Sequence, residues 1–296
     1  MIHFAIAPRD VAAFVLVMAI WGFNFAVVKT ALETFPPIFM TALRFAMVAA
    51  VLLPFVAIPR GHFLGVFLVS VTLGFLHFSL MFTGLDGIDA STAAIAIQLQ
   101  VPFAALLAAF VFGDKLGWRR ALGMATAFAG VAVIAGEPRM AGSYLSLGLV
   151  VTAAMIFAIS NIQVKKLGTL NGWTVAGWMS FFAVPQLFAA SLLLEDGQIE
   201  ALRAADWLAW GCIVYNAIVV MVIGYGLWYR LLRRYEVNTA MPFTLLVPLF
   251  GVMTGVLVLG ETLDLSLILG GLLTIVGVGI IILRRPKVVA PEADRV

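Results

Sequence analysis

Charge is what this sequence has least of. Only 11% of its 296 residues are Asp, Glu, Lys or Arg, against 63% apolar ones, whereas a soluble domain carries about a quarter charged side chains. So few polar groups cannot cover a water-facing surface of this size, which excludes soluble enzymes, nucleic-acid binders and disordered scaffolds. The single cysteine, Cys212, leaves no intrachain disulfide and no multi-cysteine metal site. The apolar excess is not a secretory leader followed by a soluble remainder, because it runs from Val11 to Leu283 and no small-residue cleavage pattern ends the first run. No Gly-rich loop closing on Lys-Ser or Lys-Thr occurs, so ATP does not drive the protein directly. No filter-like loop or ring of charge points to an ion channel. The net charge of +3 is too small, and too confined to loops, to suggest nucleic acid.

What the chain has instead is a succession of long apolar runs. A membrane-spanning helix takes about 20 such residues, and a barrel strand would alternate in polarity over about ten. A run such as Leu99 to Phe112 fits only the helix. Breaks at Gly, Pro and charge divide the chain into ten predicted helices: 10–29, 37–58, 64–85, 91–112, 119–136, 145–165, 173–194, 208–229, 238–259 and 265–284. Sorting Lys and Arg between alternate connections puts fourteen on one side: Arg9, Arg60, Lys115, Arg119, Arg120, Lys165, Lys166, Arg230, Arg233, Arg234, Arg284, Arg285, Lys287 and Arg295. The other side has three, Lys29, Arg139 and Arg203, and Arg44 inside the second helix completes the eighteen. The Lys- and Arg-rich side faces the cytoplasm, so both termini are expected there. Acids such as Glu33, Asp89, Glu195 and Glu261 are expected on the opposite side.

The two halves repeat one another. Val101-Pro102-Phe103 through Phe112-Gly113-Asp114-Lys115-Leu116 reads like Val247-Pro248-Leu249 through Leu259-Gly260-Glu261-Thr262-Leu263. Gly123 and Gly130 then match Gly270 and Gly277, and Asn24 matches Asn161. Five helices per half is an odd number, so the second half is expected upside down relative to the first, with the halves falling at 1–138 and 139–296. Inverted repeats of this kind are a transporter architecture, with the substrate site near the midplane where the halves meet.

Trp21-Gly22-Phe23-Asn24-Phe25, Leu43-Arg44-Phe45, Pro102 with the Gly113-Asp114-Lys115-Leu116 turn, and Leu246-Val247-Pro248 to Gly260-Glu261-Thr262-Leu263 resemble the EamA family of the drug/metabolite transporter superfamily. Within it, Gly224-Tyr225-Gly226-Leu227-Trp228 and Arg234-Tyr235-Glu236 resemble the bacterial amino-acid exporters, among them the aromatic amino-acid and the cysteine/O-acetylserine exporters. The resemblance implies a ten-helix inner-membrane carrier that moves amino acids and related metabolites out of the cell.

Polar side chains inside lipid are costly and normally face the bundle interior, which makes the few within the predicted helices candidates for a binding site. Asn24 shares a face with Trp21, three residues earlier, and its amide offers donors and an acceptor to a zwitterion. Asn161 is its repeat counterpart. Either could instead bond two helices together, a contribution of about 0.6–2 kcal/mol. His77 falls near the midplane of the third helix, where it lines the cavity, carries a proton or donates to a neighbouring helix. Gln98 and Gln100 lie about 200° apart round a helix, so only one faces the cavity, and Gln98 is the candidate. Tyr225, and Trp178 with Phe181 and Phe182, supply aromatic surface for an apolar pocket, while Trp228 and Tyr229 read as interfacial anchors. Arg44, about 11 Å inside the outer end of its helix, either grips a substrate carboxylate with its guanidinium fork or serves structure, by pairing with a loop acid such as Asp89 or snorkelling outward. Pro102 and Pro248 occupy equivalent repeat positions and are either paired bending points for alternating access or static kinks.

No Asp or Glu falls mid-helix to bind a proton or sodium ion, which leaves movement down the substrate's own gradient, with His77 the one deep proton site. The expected protein is an all-α membrane protein of ten transmembrane helices in two inverted five-helix repeats, monomeric, exporting neutral amino acids including aromatic ones. It needs no cofactor and no metal, and its partners are the substrate and membrane lipid. An exporter of small lipophilic compounds and a proton antiporter working through His77 are the alternatives. A membrane-embedded enzyme would need a nucleophile–base set or metal ligands at depth, and one histidine without a deep acid provides neither.

Overall fold

The computed structural model describes residues 7–112, 117–137, 140, 142–168, 170–235 and 237–283. Residues 113–116, with Asp114 and Lys115, together with Arg139 and the residues from Arg284 on, lie outside them. In chain order the long helices are α1 Pro8–Leu32, α2 Pro37–Phe55, α3 Phe63–Asp86, α4 Ala90–Val111 and α5 Trp118–Ala135. They continue as α6 Tyr144–Lys166, α7 Gly172–Leu194, α8 Trp207–Leu232, α9 Met241–Leu259 and α10 Leu265–Leu283. All but α5 are long and apolar enough to cross a membrane, which makes 9 among the described residues. Arg119 and Arg120 in the first turn of the 18-residue α5 dilute its hydropathy. The described residues contain no strand. Predicted helix ends fall within three residues of the observed ones, because Pro8, Pro36 and Pro37 start helices cleanly and the charged or Gly-containing connections stop them.

Side chains that face outward are apolar over much of the bundle: Phe110 is 84% exposed, Leu193 82% and Leu257 74%. A surface of this kind is a liability in water and suited to lipid. Inside, α2 packs along α7, α4 along α9 and α5 along α10. Helix α1 packs on α8 and α9, just as α6 packs on α3 and α4. The α5–α10 pair is antiparallel, with Gly123 against Gly277 and Gly130 against Gly270. A Cβ on Gly130 would overlap the Gly270 carbonyl and Thr274, so small residues let these backbones touch.

Two pairs of helices depart from α geometry at matching places. Proline has no N–H to donate to the carbonyl four residues back. Pro102 is preceded by a 3-10 stretch at Ile97–Leu99, and Pro248 by one at Met241–Leu245. Helices α3 and α8 each carry a π-helical stretch, Ser70–His77 and Tyr215–Gly224. Such widened turns are rare and concentrate at functional sites.

A candidate substrate cavity and a buried arginine

A cavity of about 530 Å³ opens at the basic end of the bundle, between α3, α6, α7 and α8. Its rim is the α6–α7 connection, with Leu167, Gly168 and Asn171, and the end of α8, with Leu232 and Arg233. Its deep wall is Leu73 and Phe78 from α3, Met179 from α7, and Met221 and Tyr225 from α8. Trp173 and Tyr229 meet edge to face between rim and floor, their centroids 6.4 Å apart. Gly172 and Gly226 make that interlock possible, since a Cβ on either would strike the Tyr229 or the Trp173 ring. Mostly apolar walls with a few polar groups, in a volume of a few hundred cubic ångströms, are what small-molecule sites are made of. Among the described lining residues Arg233 is the one that carries a charge.

Directly behind the floor lies Arg44. Its guanidinium carbon stands 4.1 Å from the centroid of the Phe78 ring, 4.8 Å from that of Phe45 and 5.6 Å from that of Phe82. It is close enough to Tyr225 and His77 to interact with them electrostatically. Arg44 is 1% exposed, and its Nε and Nη1 donate to nothing among the described residues. Among the described residues, neither structural role considered for it from sequence is seen. It does not snorkel, and no ion pair joins it to Asp89, which lines a separate 190 Å³ cavity at the acidic end with Glu137 and Asp264. Ring faces attract the cation, at about 0.5–2 kcal/mol each, but they leave its N–H groups without acceptors.

The other residues singled out from sequence scatter around this centre. Tyr225 lines the cavity. The Trp21 ring lies tilted behind Tyr225, centroids 5.0 Å apart, with its indole N–H buried and without a partner among the described residues. Asn24 accepts a 2.8 Å bond from Asn216, a fully buried residue of the α8 π stretch that sequence reasoning missed. Only the unusual presence of an amide in that apolar run could have signalled it. His77 is 5% exposed, and its Nδ1 donates to the Ala153 carbonyl at 2.9 Å, tying α3 to α6. Gln98 is 3% exposed within the α4 3-10 stretch, whereas Gln100 is half-buried. Asn161 is exposed and bonds no described residue, on the α6 face that also carries Phe157 and the cavity-lining Val164. Trp178 does not reach the cavity. It donates its indole N–H to Ala57 at 3.0 Å and packs on Phe63, which holds the α2–α3 connection to α7. Tyr229, read from sequence as an interfacial anchor, lines the cavity. Trp228 is 7% exposed and packs on Phe14 and Trp21. Periodicity identifies faces, but it could not say which interior face borders the void.

The acidic end is closed by bonds between helices. Glu195, just past α7, accepts from the backbone N–H of Ile38 and Phe39 at 2.6 and 2.9 Å, capping α2. Glu261, just past α9, accepts from Ala90 and Ser91 N–H at 2.6 and 2.9 Å, and from the Ser91 hydroxyl. Gly260 takes the left-handed conformation, φ 70°, that turns the chain back for this contact. Lys29 donates to the Leu85, Asp86 and Ile88 carbonyls at 2.7–2.9 Å, capping the end of α3. Each charge satisfies helix-terminal groups that have no partner inside their own helix, with the sign the helix dipole favours.

A bundle of apolar-surfaced helices around a cavity that opens at one end, with helix ends bonded to one another at the other, is the architecture of a polytopic membrane protein. The EamA-like transporter family matches residues 10–136 and again residues 145–283, and the chain belongs to that family. It is 32% identical over 279 residues to a "Probable amino-acid metabolite efflux pump" of Escherichia coli strain K12, covering 91% of this chain and 93% of the relative. It is 26% identical to a "Probable terminal-alkyne amino-acid exporter" of Streptantibioticus cattleyicolor, over 92% of this chain and 93% of that one. A protein of known crystal structure shares the fold with a TM-score of 0.63 at 17% identity, over 92% of this chain and 96% of that chain.

Proposed function

We propose that the protein exports neutral amino acids, including aromatic and other hydrophobic ones, and related metabolites from the cytoplasm by alternating access, without a coupling ion. The observation that carries this reading is the aromatic-walled cavity, open at the basic end and sealed at the acidic end. By the positive-inside rule the open end faces the cytoplasm, as an exporter awaiting substrate requires. The names of the relatives in Escherichia coli and Streptantibioticus speak of amino-acid efflux and export.

The carrier is read as ten transmembrane helices in two inverted halves, 1–138 and 139–296, with α5 as the tenth crossing. Its antiparallel packing along α10 supports that, and exchanging each helix with the one five places on leaves the main packing partners unchanged. Each π stretch also bonds the first helix of one half: His77 donates to Ala153 on α6 and Tyr215 to Ile20 on α1, at 2.9 and 3.1 Å. Trp21, Asn24, Gln98, Asn161 and Tyr225 are assigned to the substrate path, and Pro102 and Pro248 to its hinges. His77, whose Nδ1 is bonded to a backbone carbonyl of α6, is assigned to packing in this uncoupled reading.

The test is uptake into liposomes by purified protein, with labelled neutral, aromatic and charged amino acids and no ion gradient. Saturable uptake of the neutral and aromatic ones, competed by unlabelled substrate, is expected. Flux that appears only with a proton gradient overturns the uncoupled mechanism. Flux of small lipophilic compounds with none of amino acids favours the rival reading, for which the largely apolar cavity wall speaks.

A further inference from the structure

The cavity holds a pronounced asymmetry of charge. A zwitterionic amino acid brings one cationic and one anionic group, and the site answers only the anionic one. Arg233 stands at the rim and Arg44 behind the floor, while no Asp or Glu is among the described lining residues. Arg44 keeps two buried guanidinium nitrogens without an acceptor. An arginine does not shed its proton to escape this, and its planar fork matches a carboxylate in two parallel bonds. The Phe78 ring links it to the cavity, since that ring both lines the floor and lies 4.1 Å from the guanidinium carbon. Phenylalanine has two rotatable side-chain bonds, and access to the fork from the cavity requires this ring to turn aside. An ammonium group, by contrast, finds no carboxylate among the described lining residues, only the neutral Asn171 amide, the Tyr225 and Tyr229 hydroxyls and the aromatic π faces.

We infer that Arg44 is the receptor for the substrate's carboxylate, that the α-amino group contributes little to recognition, and that the protein therefore also accepts 2-oxo acids with the same side chains. The inference deepens the transport reading and rests on it for the direction of movement, but the binding step stands on its own. A carboxylate docked at Arg44 supplies the missing acceptors and neutralises a cation that is otherwise costly to bury in lipid. Side-chain size is then sensed by the aromatic walls, and the α-substituent is left facing the open mouth.

Binding to the purified full-length protein tests this, read by thermal shift and intrinsic tryptophan fluorescence. The ligands are two matched trios: leucine, its 2-oxo acid and 3-methylbutylamine, then phenylalanine, phenylpyruvate and phenethylamine. In the wild type each oxo acid is expected to bind within about fivefold of its amino acid, and each amine at least about tenfold more weakly. Arg44→Gln is expected to weaken both carboxylates by about tenfold or more and leave the amines unchanged. Arg44→Lys keeps the charge, guards against misfolding of the glutamine variant, and should lose about three- to tenfold with the same preference. Amines that bind as well as the amino acids, oxo acids that do not bind, or an Arg44→Gln protein that folds and keeps its carboxylate affinity would each overturn the assignment. Leucine counterflow in liposomes separates the two claims. Carboxylate-selective binding without counterflow defeats only the transport reading, and counterflow without carboxylate selectivity defeats only this inference.

Discussion

The two ends of the bundle are closed and opened by different chemistry. At the acidic end, α7 is bonded to α2 through Glu195, α9 to α4 through Glu261, and α1 to α3 through Lys29. At the basic end aromatic rings fill the space between helices, and the described ionic contact is Arg234 with Asp10 at 3.3 Å, supported by the Tyr235 hydroxyl at 2.7 Å. Capping bonds are directional, so they hold a helix end in one position. Ring contacts slide and re-form at little cost. The end that is shut thus carries short bonds to named partners, and the open end is built of contacts that tolerate movement.

Breaking the tightest of these bonds should have the largest effect. Glu261→Ala removes the acceptor for two backbone N–H groups and the Ser91 hydroxyl. It should cost about 2–3 kcal/mol of stability, since groups left unsatisfied bear their full desolvation penalty. Thermal unfolding in detergent measures the loss, and reagent access to the acidic end should rise with it. Glu195→Ala should follow at about 1–2 kcal/mol, because Ser191 and Gln198 stay beside the vacated site to offer replacement bonds. If either variant is as stable as the parent, the capped end is not the anchored one.

At mid-depth, between the two ends, His77→Gln sharpens the contrast. Glutamine can still donate towards Ala153, so a loss of about 1 kcal/mol is expected, with the pH profile of transport unchanged. A selective loss of pH-dependent flux would instead make His77 a proton carrier. Asn24→Ala and Asn216→Ala, singly and together, should show a coupling of about 0.6 kcal/mol, the usual size for interhelical hydrogen bonds in membranes. A coupling near zero would mean that Asn24 turns to the cavity instead of to Asn216.

How much of this could be read beforehand depended on what each feature needs. Helix positions and ends were legible because lipid imposes a length and a polarity on every span, and Gly, Pro and charge mark the breaks. Helix α5 was the marginal case for the same reason, with two arginines in its first turn. Of the cavity wall, Tyr225 was picked out because it lies deeper in its helix than Trp228 and Tyr229. Tyr229 was lost because nearness to a helix end suggests an anchor and says nothing of a void beside it. Arg44 was visible as an anomaly, but its lack of a partner is a property of three helices together. The caps by Glu195 and Glu261 were hidden because each joins residues more than 150 positions apart, and no local pattern carries that pairing. Asn161 and Trp178 show the limit of arguing from repeats and composition: the first keeps an open amide without a described partner, and the second turns away from the cavity to brace the α2–α3 connection.

The smallest effect should come from the basic end, and its smallness is the point. Tyr235→Phe deletes one hydroxyl that donates to Asp10 while leaving Arg234 beside the carboxylate. Part of the bond is replaced by water at this edge, so the shift in the open population should be about twofold, the low end for a single hydrogen bond. The readout is the labelling rate of a cysteine at position 168 on the cavity rim, in a Cys212→Ala background, with membrane-permeant and impermeant maleimides added from the basic side. Labelling lowered by about twofold would fit a clamp that merely favours the open packing of α1 on α8. A tenfold drop would mean that Asp10, Arg234 and Tyr235 form a latch as strong as the glutamate caps. The two ends would then be equally anchored, and the difference between them would lie in the cavity alone.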